Sequence, residues 1–173
     1  MSIIGFTGKA GSGKDTAADF LVREFGYTKL SWAGPLKAGL TAMGFPEPAN
    51  REAKEDLIPG FSFSWRQAAQ HLGTEWGRAL DPDIWVKVVE AGLKSNRNYV
   101  ISDVRFENEA AMIRRNGGMV IHLLGRQADL GAAAAHASEA GVQFYPSTDV
   151  IIENSGSIAV LQYVLAQIAK DAA

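Results

Sequence analysis

The stretch at residues 8–16, which reads GKAGSGKDT, constrains the fold more than any other part of the sequence. It follows SIIGFT, a β-branched and aromatic run typical of a buried strand, and it precedes apolar residues at helical spacing. Glycines let successive backbone N–H groups turn towards phosphate oxygens, and the start of a helix adds partial positive charge. The pattern Gly-x-x-x-x-Gly-Lys therefore predicts a phosphate-binding loop, with Lys14 at the β- and γ-phosphates of a nucleotide. The residues expected to bind that nucleotide here are Lys9, Ala10, Gly11, Ser12, Gly13, Lys14, Asp15 and Thr16.

The position after the lysine departs from the usual pattern. A Ser or Thr ordinarily stands there, but this chain has Asp15 followed by Thr16. A carboxylate beside a triphosphate is favourable if it holds Mg²⁺, directly or through water, because the ion offsets its charge. Asp15 also suits the first turn of a helix without any ligand. Both interpretations stay open, and Thr16 is an alternative source of the hydroxyl.

The rest of the chain alternates predicted strands and helices. Further strands are expected at 27–31, 98–104, 119–125 and 149–154. This alternation predicts a parallel sheet covered on both faces, and hence a three-layer α/β fold with five strands and ligands at their carboxyl ends. We predict a single domain over 1–173, a surface excursion at about 45–63 and an irregular segment at about 125–140.

Composition excludes several classes of function. The chain has no cysteine, so disulfides, thiolate metal sites and cysteine nucleophiles are ruled out. The formal net charge is -2, which makes a broad nucleic-acid surface unexpected. No apolar run reaches the length of a membrane span. We expect a cytoplasmic protein, with neither nucleic acid nor membrane as partner.

Residues 64–80 predict a long amphipathic helix that opens with a capping box of Ser64 and Gln67. One arc is apolar: Trp65, Ala68, Ala69, Leu72, Trp76 and Ala79. The opposite arc holds Arg66, Gln70, Gly73, Thr74 and Gly77, with Arg78 at its edge. Its glycines either leave room for a flat ligand or allow close helix packing, and both interpretations stay open. Asp81 is expected to cap the next helix.

The side chains around the predicted site indicate an acceptor that already carries a phosphate. Asp103 follows a strand, where it can orient Mg²⁺ or end the strand in a turn. Arginine binds phosphate in a bidentate manner, and a phosphate oxygen needs no general base because it is already ionised. The cations that could converge are Lys14, Lys37, Arg66, Arg78, Arg105 and Arg126. His71 is expected on a helix surface, and His122 in the core with satisfied hydrogen bonds. His136 is expected in the irregular segment.

Several blocks of the chain resemble the phage-type deoxynucleoside monophosphate kinases. They are GKAGSGKDTAADFL, SWAGPLK, RQAAQHLGTEWGR followed by DPDIWV, SDVRFENEA, HASE and IIENSGSI, over about residues 3–165. The resemblance implies a P-loop kinase fold and transfer of the ATP γ-phosphate, with Mg²⁺, to a deoxynucleoside monophosphate. If the gene belongs to a phage, the expected location is the host cytoplasm. One departure is Gly34, where an Asp is expected before Pro35.

The resemblance also implies roles for individual residues. The catalytic residues would be Lys14, Arg105 and Arg126, with residues 125–140 as a mobile lid. The acceptor would be held by Lys37, Arg66, Gln70, Thr74, Arg78, Asp103, Arg105 and Glu107. Asn154 and Gly156 would lie at the adenine. The candidate metal ligands remain Asp15, Thr16 and Asp103, and which carboxylate or hydroxyl contacts the ion is left open. The accepted bases, the choice between ribose and deoxyribose and a homodimer are left open.

Two other functions remain alternatives to a deoxynucleoside monophosphate kinase. One is a P-loop kinase for another phosphorylated small molecule, since animal-type phosphomevalonate kinases share an SGKD loop. The other is a non-catalytic nucleotide-binding module, although the chain has no Asn-Lys-x-Asp guanine motif. The Arg66–Arg78 block and a panel of acceptors would separate the first alternative from the favoured function. Acceptor-dependent release of ADP would separate an enzyme from a binding module.

Overall fold

The computed structural model describes residues 1–50, 52–125 and 142–172. The chain divides into two compact units, Met1–Ser31 with Leu93–Ala173, and Trp32–Gly92. Sequence patterns did not predict this division, and the single kinase domain over 1–173 stays a prediction. The excursion expected at about 45–63 lies inside the second unit.

The first unit contains the predicted five-stranded parallel sheet. Its strands are β1 (Ile3–Thr7), β2 (Thr28–Leu30), β3 (Tyr99–Ile101), β4 (Met119–Leu124) and β5 (Asp149–Glu153). They pair in the order β2-β3-β1-β4-β5, and every pairing is parallel. Parallel strands direct their carboxyl ends to one edge, so the segments that follow β1, β3 and β5 emerge on the same side of the sheet.

Helices cover both faces of this sheet. The helices of the first unit are α1 (Lys14–Phe25), α5 (Glu107–Arg115) and α6 (Ile158–Asp171). Ile4 and Phe6 of β1 are fully buried in a core shared with α1 and α6. Gly5 points to the opposite face, where a Cβ would lie 2.4 Å from Ile113 Cδ1 of α5. The alternation along β1 thus produces the predicted three layers.

The second unit contains α2 (Gly34–Ala42), α3 (Trp65–Gln70) and α4 (Ile84–Ala91). Leu36, Leu40 and Trp65 form its buried core, and Phe45 and Ile58 pack against them. The excursion is therefore more than the solvated loop that its prolines and charges suggested. It contains one short 3₁₀ turn, Glu52–Lys54, and the rings of Phe45, Phe61 and Phe63 contact one another.

The helix expected over 64–80 begins as predicted but changes its winding midway. The Ser64 hydroxyl accepts from Gln67 N–H, and Gln67 accepts from Ser64 N–H, which confirms the capping box. From His71 to Arg78 the backbone is a π-helix rather than an α-helix. The α-helical arcs predicted for this part were wrong: Trp76 is 54% exposed, whereas Gly73 and Gly77 are buried.

The cause is the smaller rotation per residue. An α-helix turns by about 100° per residue, whereas i→i+5 bonding turns the chain by roughly 80°. After several residues the difference moves Trp76 out of the buried face and Gly77 into it. Helix α4 begins later than expected too, with Asp83 as its N-cap. Asp81 accepts from Asp83 N–H in the preceding turn, so its assignment as the cap was wrong.

None of the helices in the described ranges is both long and apolar enough to cross a membrane.

Candidate active site

The loop between β1 and α1 has the backbone that phosphate binding requires. Gly8, Gly11 and Gly13 have φ values of 140°, 80° and 100°, which are unfavourable for residues with a side chain. A Cβ on Gly8 would also lie 2.4 Å from Leu123 O, so the loop passes β4 too closely for any side chain. The glycines therefore hold the loop where its N–H groups and the start of α1 can face an anion.

Lys14 lies across this loop. Its Nζ donates to Gly8 O at 2.7 Å and to Lys9 O at 2.8 Å. The ammonium is thus held by the loop from which phosphate oxygens would be bound. Lys9 is exposed, as are Gly11, Asp15 and Thr16. Ser12, which belongs to the same loop, is buried.

Asn154, expected at the adenine, has a different contact in the structure. It follows β5, is 6% exposed, and its Nδ2 donates to Ser12 O at 2.8 Å. A Cβ on Gly13 would lie 2.7 Å from the same Nδ2 atom. Asn154 therefore supports the phosphate loop through the backbone of Ser12. A contact with adenine, for Asn154 or for the exposed Gly156, stays a prediction.

Asp15 joins the phosphate loop to β2 and β3. Its Oδ1 accepts from Ser102 Oγ at 2.7 Å and from Lys29 Nζ at 3.2 Å, and Lys29 also pairs with Asp19 at 2.8 Å. Partial loss of hydration opposes ionisation of the Asp15 carboxyl, but the hydrogen bonds from Ser102 and Lys29 and the charges of Lys29 and Lys14 outweigh it. The pKa of Asp15 is therefore lowered, and the group is a carboxylate at neutral pH.

Asp103 stands directly after Ser102 at the end of β3. Its Oδ2 accepts from Ser31 Oγ at 2.6 Å. Ser102 therefore binds the carboxylate of Asp15 through its hydroxyl and precedes Asp103 in the chain. Sequence reasoning missed Ser102, Ser31 and Lys29, since only the order of the strands brings Ser102 and Lys29 to Asp15, and Ser31 to Asp103.

The donor set fits a magnesium ion held mainly by phosphate oxygens and water. Mg²⁺ is typically bound by one or two carboxylates, with the remaining ligands from water and substrate phosphates. Asp15 and Thr16 supply a carboxylate and a hydroxyl at the loop, and Asp103 supplies a second carboxylate at the end of β3. Among the described residues, no group of three or more His, Cys, Asp or Glu side chains could form an all-protein metal site.

The segment after Asp103 provides two more of the predicted residues. Arg105 is exposed, and its backbone N–H donates to the buried carboxylate of Glu109 at 2.8 Å. Glu107, expected to contact the acceptor, instead accepts from Arg114 NH1 at 2.6 Å and from Gln143 N–H at 3.1 Å. These bonds connect α5 to the chain before β5, and a role for Glu107 in acceptor binding stays a prediction.

The remaining acceptor residues lie in the second unit. Lys37 Nζ pairs with Glu47 at 3.0 Å, Arg66 pairs with Glu55, and Arg78 NH1 donates to Pro82 O at 3.2 Å. Gln70 and Thr74 are exposed on the same helical segment as the two arginines. Gly73 and Gly77 are in close contact with Leu36 and Trp85, which favours the packing interpretation of these glycines.

The histidines that the structure describes lie as expected. His71 is exposed and pairs with Glu75, four residues further along the helix. His122 Nε2 lies 3.2 Å from Asp149 Oδ2, and its side chain is 12% exposed. His136 and Arg126, together with the lid expected at about 125–140, lie outside the described residues apart from Gly125.

A five-stranded parallel sheet whose first strand leads through a glycine-rich loop and lysine into a helix is the fold of P-loop kinases. Shikimate kinase from Aquifex aeolicus matches 98% of this chain and 98% of its own, with a TM-score of 0.54 and 15% identity. A sugar kinase from a Janibacter species matches 99% of this chain and 95% of its own, with a TM-score of 0.51 and 16% identity. At these identities the likeness shows the fold alone.

Sequence comparison identifies the family within that class. The sequence model of deoxynucleotide monophosphate kinases matches residues 51–164, and the chain belongs to this family. A protein of Acanthamoeba polyphaga mimivirus, named as a deoxynucleotide monophosphate kinase, is 28% identical over 91% of both chains. The deoxynucleoside-5'-monophosphate kinase of Escherichia phage T5 is 29% identical over 56% of this chain and 42% of its own, less than half its length. The protein is thus a phosphotransferase acting on deoxynucleoside monophosphates.

Proposed function

We propose that ATP is the phosphoryl donor, that Mg²⁺ accompanies it, and that the loop at residues 8–16 binds its β- and γ-phosphates. The observation that carries this proposal is the position of Lys14, whose ammonium lies on the loop carbonyls of Gly8 and Lys9. Positive φ values at three glycines support it, since they orient the backbone of a phosphate-binding loop.

In this proposal Lys14 acts mainly in the transition state. Phosphoryl transfer involves little covalent work by the protein, so catalysis depends on positioning and on stabilising the charge of the transferred group. A mobile lysine can follow that charge from the donor towards the acceptor. Arg105 is proposed to add a second cation from the segment after β3, and Arg126 a third.

Asp15, Thr16 and Asp103 are proposed to hold the magnesium ion. When bound, Mg²⁺ neutralises charge on the phosphate oxygens that it contacts. The lowered pKa of Asp15 keeps this carboxylate ionised, and Ser102 and Ser31 fix the orientation of the two Asp side chains. Lys29 balances part of the charge of Asp15 and Asp19.

We propose that Lys37, Arg66, Gln70, Thr74 and Arg78 of the second unit bind the acceptor phosphate. Three exposed or half-exposed cations of the second unit support this role, because charge-assisted contacts to phosphate are strong and directional. The acceptor oxygen is an ionised phosphate oxygen, so no histidine needs to remove a proton from it. We also propose that the enzyme acts in the cytoplasm, as the viral relatives suggest, without a nucleic-acid partner.

The test of this proposal is kcat as a function of Mg²⁺ concentration with ATP as donor. We expect Asp15→Asn to lower kcat and to need more Mg²⁺ than the unaltered enzyme, because it removes one carboxylate from the ion. Asp19→Asn is the matched control, since Asp19 shares Lys29 but is not proposed to reach the ion. A Mg²⁺ profile of Asp15→Asn equal to that of the unaltered enzyme would make Asp15 a helix-start residue only. An unchanged kcat in the presence of a metal chelator would contradict the role of Mg²⁺ altogether.

A further inference from the structure

The π-helix His71–Arg78 changes which residues of the predicted acceptor-binding set share a face. In a continuous α-helix, residues four apart drift by about 40°, so the four positions of such a row spread over about 120°. In a π-helix the smaller rotation, roughly 80° per residue, reverses this drift. The affected row is Arg66, Gln70, Thr74 and Arg78, which the π-helix brings close to a single line along the helix axis.

Burial confirms this change of direction. Arg66, Gln70 and Thr74 are exposed and Arg78 is half-buried, so the row lies on the outer side of the segment. The two glycines between them, Gly73 and Gly77, are buried on the inner side. An α-helical continuation would turn Gly77 away from the inner side by about 120° and spread the row around the helix.

Trp85 of α4 is the residue that fits the π-helical winding. Its indole Nε1 donates to Gly73 O at 2.8 Å. Its ring packs directly on Gly77, where a Cβ would lie 2.6 Å from Trp85 Cζ2. On the neighbouring side, a Cβ on Gly73 would lie 2.6 Å from Leu36 Cδ1. The one indole therefore contacts both glycines, which the π-helical winding turns together to the buried side of the segment.

We propose that Trp85 is a positioning residue of the kinase, which holds the π-helix His71–Arg78 and thereby aligns Arg66, Gln70, Thr74 and Arg78 as one row for the acceptor. This proposal rests on the proposed role of that row in acceptor binding. Trp85 acts through the backbone of Gly73 and Gly77 and need not touch the acceptor. Its loss therefore affects the acceptor and leaves the phosphate loop, which belongs to the other unit, unchanged.

The test compares the KM for the acceptor and the KM for ATP in Trp85→Phe, which keeps an aromatic ring but removes the N–H donor and part of the packing. We expect the acceptor KM to rise by about tenfold, since small misplacements of binding groups have large effects, and the ATP KM to stay within about twofold. Trp76→Phe is the matched control. Trp76 belongs to the same π-helix but is 54% exposed, and we expect it to change neither KM.

A second pair of variants changes the backbone contact instead of the indole. Gly77→Ala places a Cβ against Trp85 and should raise the acceptor KM as Trp85→Phe does. Gly39→Ala is its control, because Gly39 lies in α2 of the same unit and a Cβ there would meet only Leu72 Cδ2 at 3.9 Å. If Trp85→Phe does not fold at the assay temperature, the comparison of Gly77→Ala with Gly39→Ala decides.

The outcomes distinguish this inference from the proposed function. If Arg66→Ala raises the acceptor KM but folded Trp85→Phe and Gly77→Ala do not, the inference about Trp85 is wrong and the acceptor site stands. If Arg66→Ala itself leaves the acceptor KM unchanged, the proposed acceptor row is wrong. An equal rise of the acceptor and ATP KM values in Trp85→Phe would show a general structural role and would also overturn the inference.

Discussion

At the scale of single residues, the phosphate loop depends on contacts that its own sequence does not reveal. The spacing of its glycines and Lys14 predicted the loop, because that pattern is local. The partners that support it, Asn154, Ser102 and Lys29, come from distant parts of the chain. No local pattern could link them to the loop, since only the strand order places them beside it.

Asn154→Asp tests whether the amide contact to Ser12 O positions the loop. The substitution replaces the Nδ2 donor by a carboxylate oxygen that repels the Ser12 carbonyl, a loss on the order of 1–3 kcal/mol. We expect the ATP KM to rise by about tenfold while the acceptor KM changes little.

Asn116→Asp serves as the control for this substitution. Its Nδ2 donates to Met112 O at 2.9 Å in a comparable amide–carbonyl contact at the end of α5. We expect normal ATP kinetics for this variant. Steady-state kinetics with varied ATP measure both, and an unchanged ATP KM in Asn154→Asp would show that the contact does not position the loop.

At the scale of elements, α5 and the chain leading into β5 are joined by one buried carboxylate. Asp149 accepts from Arg114 Nε at 3.0 Å and NH2 at 2.7 Å, and also from Tyr145 N–H at 3.0 Å. Its side chain is fully buried, while that of Arg114 is 12% exposed. Burial opposes ionisation, but the bonds from Arg114, Tyr145 and His122 outweigh it and hold the pKa of Asp149 below the ordinary value of 3.8.

Asp149→Asn tests this connection through the dependence of stability on pH. Because the pKa of Asp149 is lower in the folded protein, its ionised form stabilises the fold above the ordinary pKa of 3.8. This contribution is lost as the pH falls through the still lower folded value. We expect the variant to lose about 2–4 kcal/mol of unfolding free energy at neutral pH, since Arg114 keeps a partly buried charge, and to show a smaller loss towards acid.

Denaturant unfolding between neutral pH and about pH 3 measures this difference. Glu24→Gln is the control, because its pair with Arg23 is exposed on both sides and should contribute less than about 1 kcal/mol. Parallel stability curves for the unaltered protein and Asp149→Asn would contradict the role of Asp149 as an ionised anchor.

The second unit shows why element boundaries were harder to predict than their existence. Ser64 and Gln67 fixed the start of the helix, because capping is a local hydrogen-bond pattern. The change to π-helical winding depends on Trp85, which contacts Gly73 and Gly77 from another helix. Propensity could not predict it, since tertiary contacts decide the winding there.

At the scale of the whole molecule, the alternation of strands and helices predicted the parallel five-stranded sheet, which the structure confirms. The division into two compact units was not predicted, because prolines and charges at about 45–63 resemble a solvated loop. Phe45 and Ile58 instead pack on the core of the second unit. That unit contributes most of the proposed acceptor residues, so the packing of its core matters for function.

Arg66→Ala and Arg78→Ala test the acceptor site of this unit. Each removes a proposed charge-assisted contact to the acceptor phosphate, which should cost about 1.5–3 kcal/mol. We expect a higher acceptor KM or a lower kcat with little change in ATP affinity. Arg97→Ala, an exposed arginine outside the proposed site, is the control. Steady-state kinetics equal to those of the control in both variants would make Arg66 and Arg78 ordinary surface residues.

The most direct test of the central claim is ADP release, measured by a coupled assay with ATP, Mg²⁺ and one acceptor at a time. The acceptors are each deoxynucleoside monophosphate, each ribonucleoside monophosphate and mevalonate phosphate, with Lys14→Ala as the control for loop-dependent transfer. We predict that at least one deoxynucleoside monophosphate, with dTMP, dGMP or a modified pyrimidine first, stimulates ADP release, and that Lys14→Ala lowers kcat by about 10²-fold. Stimulation by mevalonate phosphate or another phosphorylated metabolite, with none by any nucleoside monophosphate, would contradict the account.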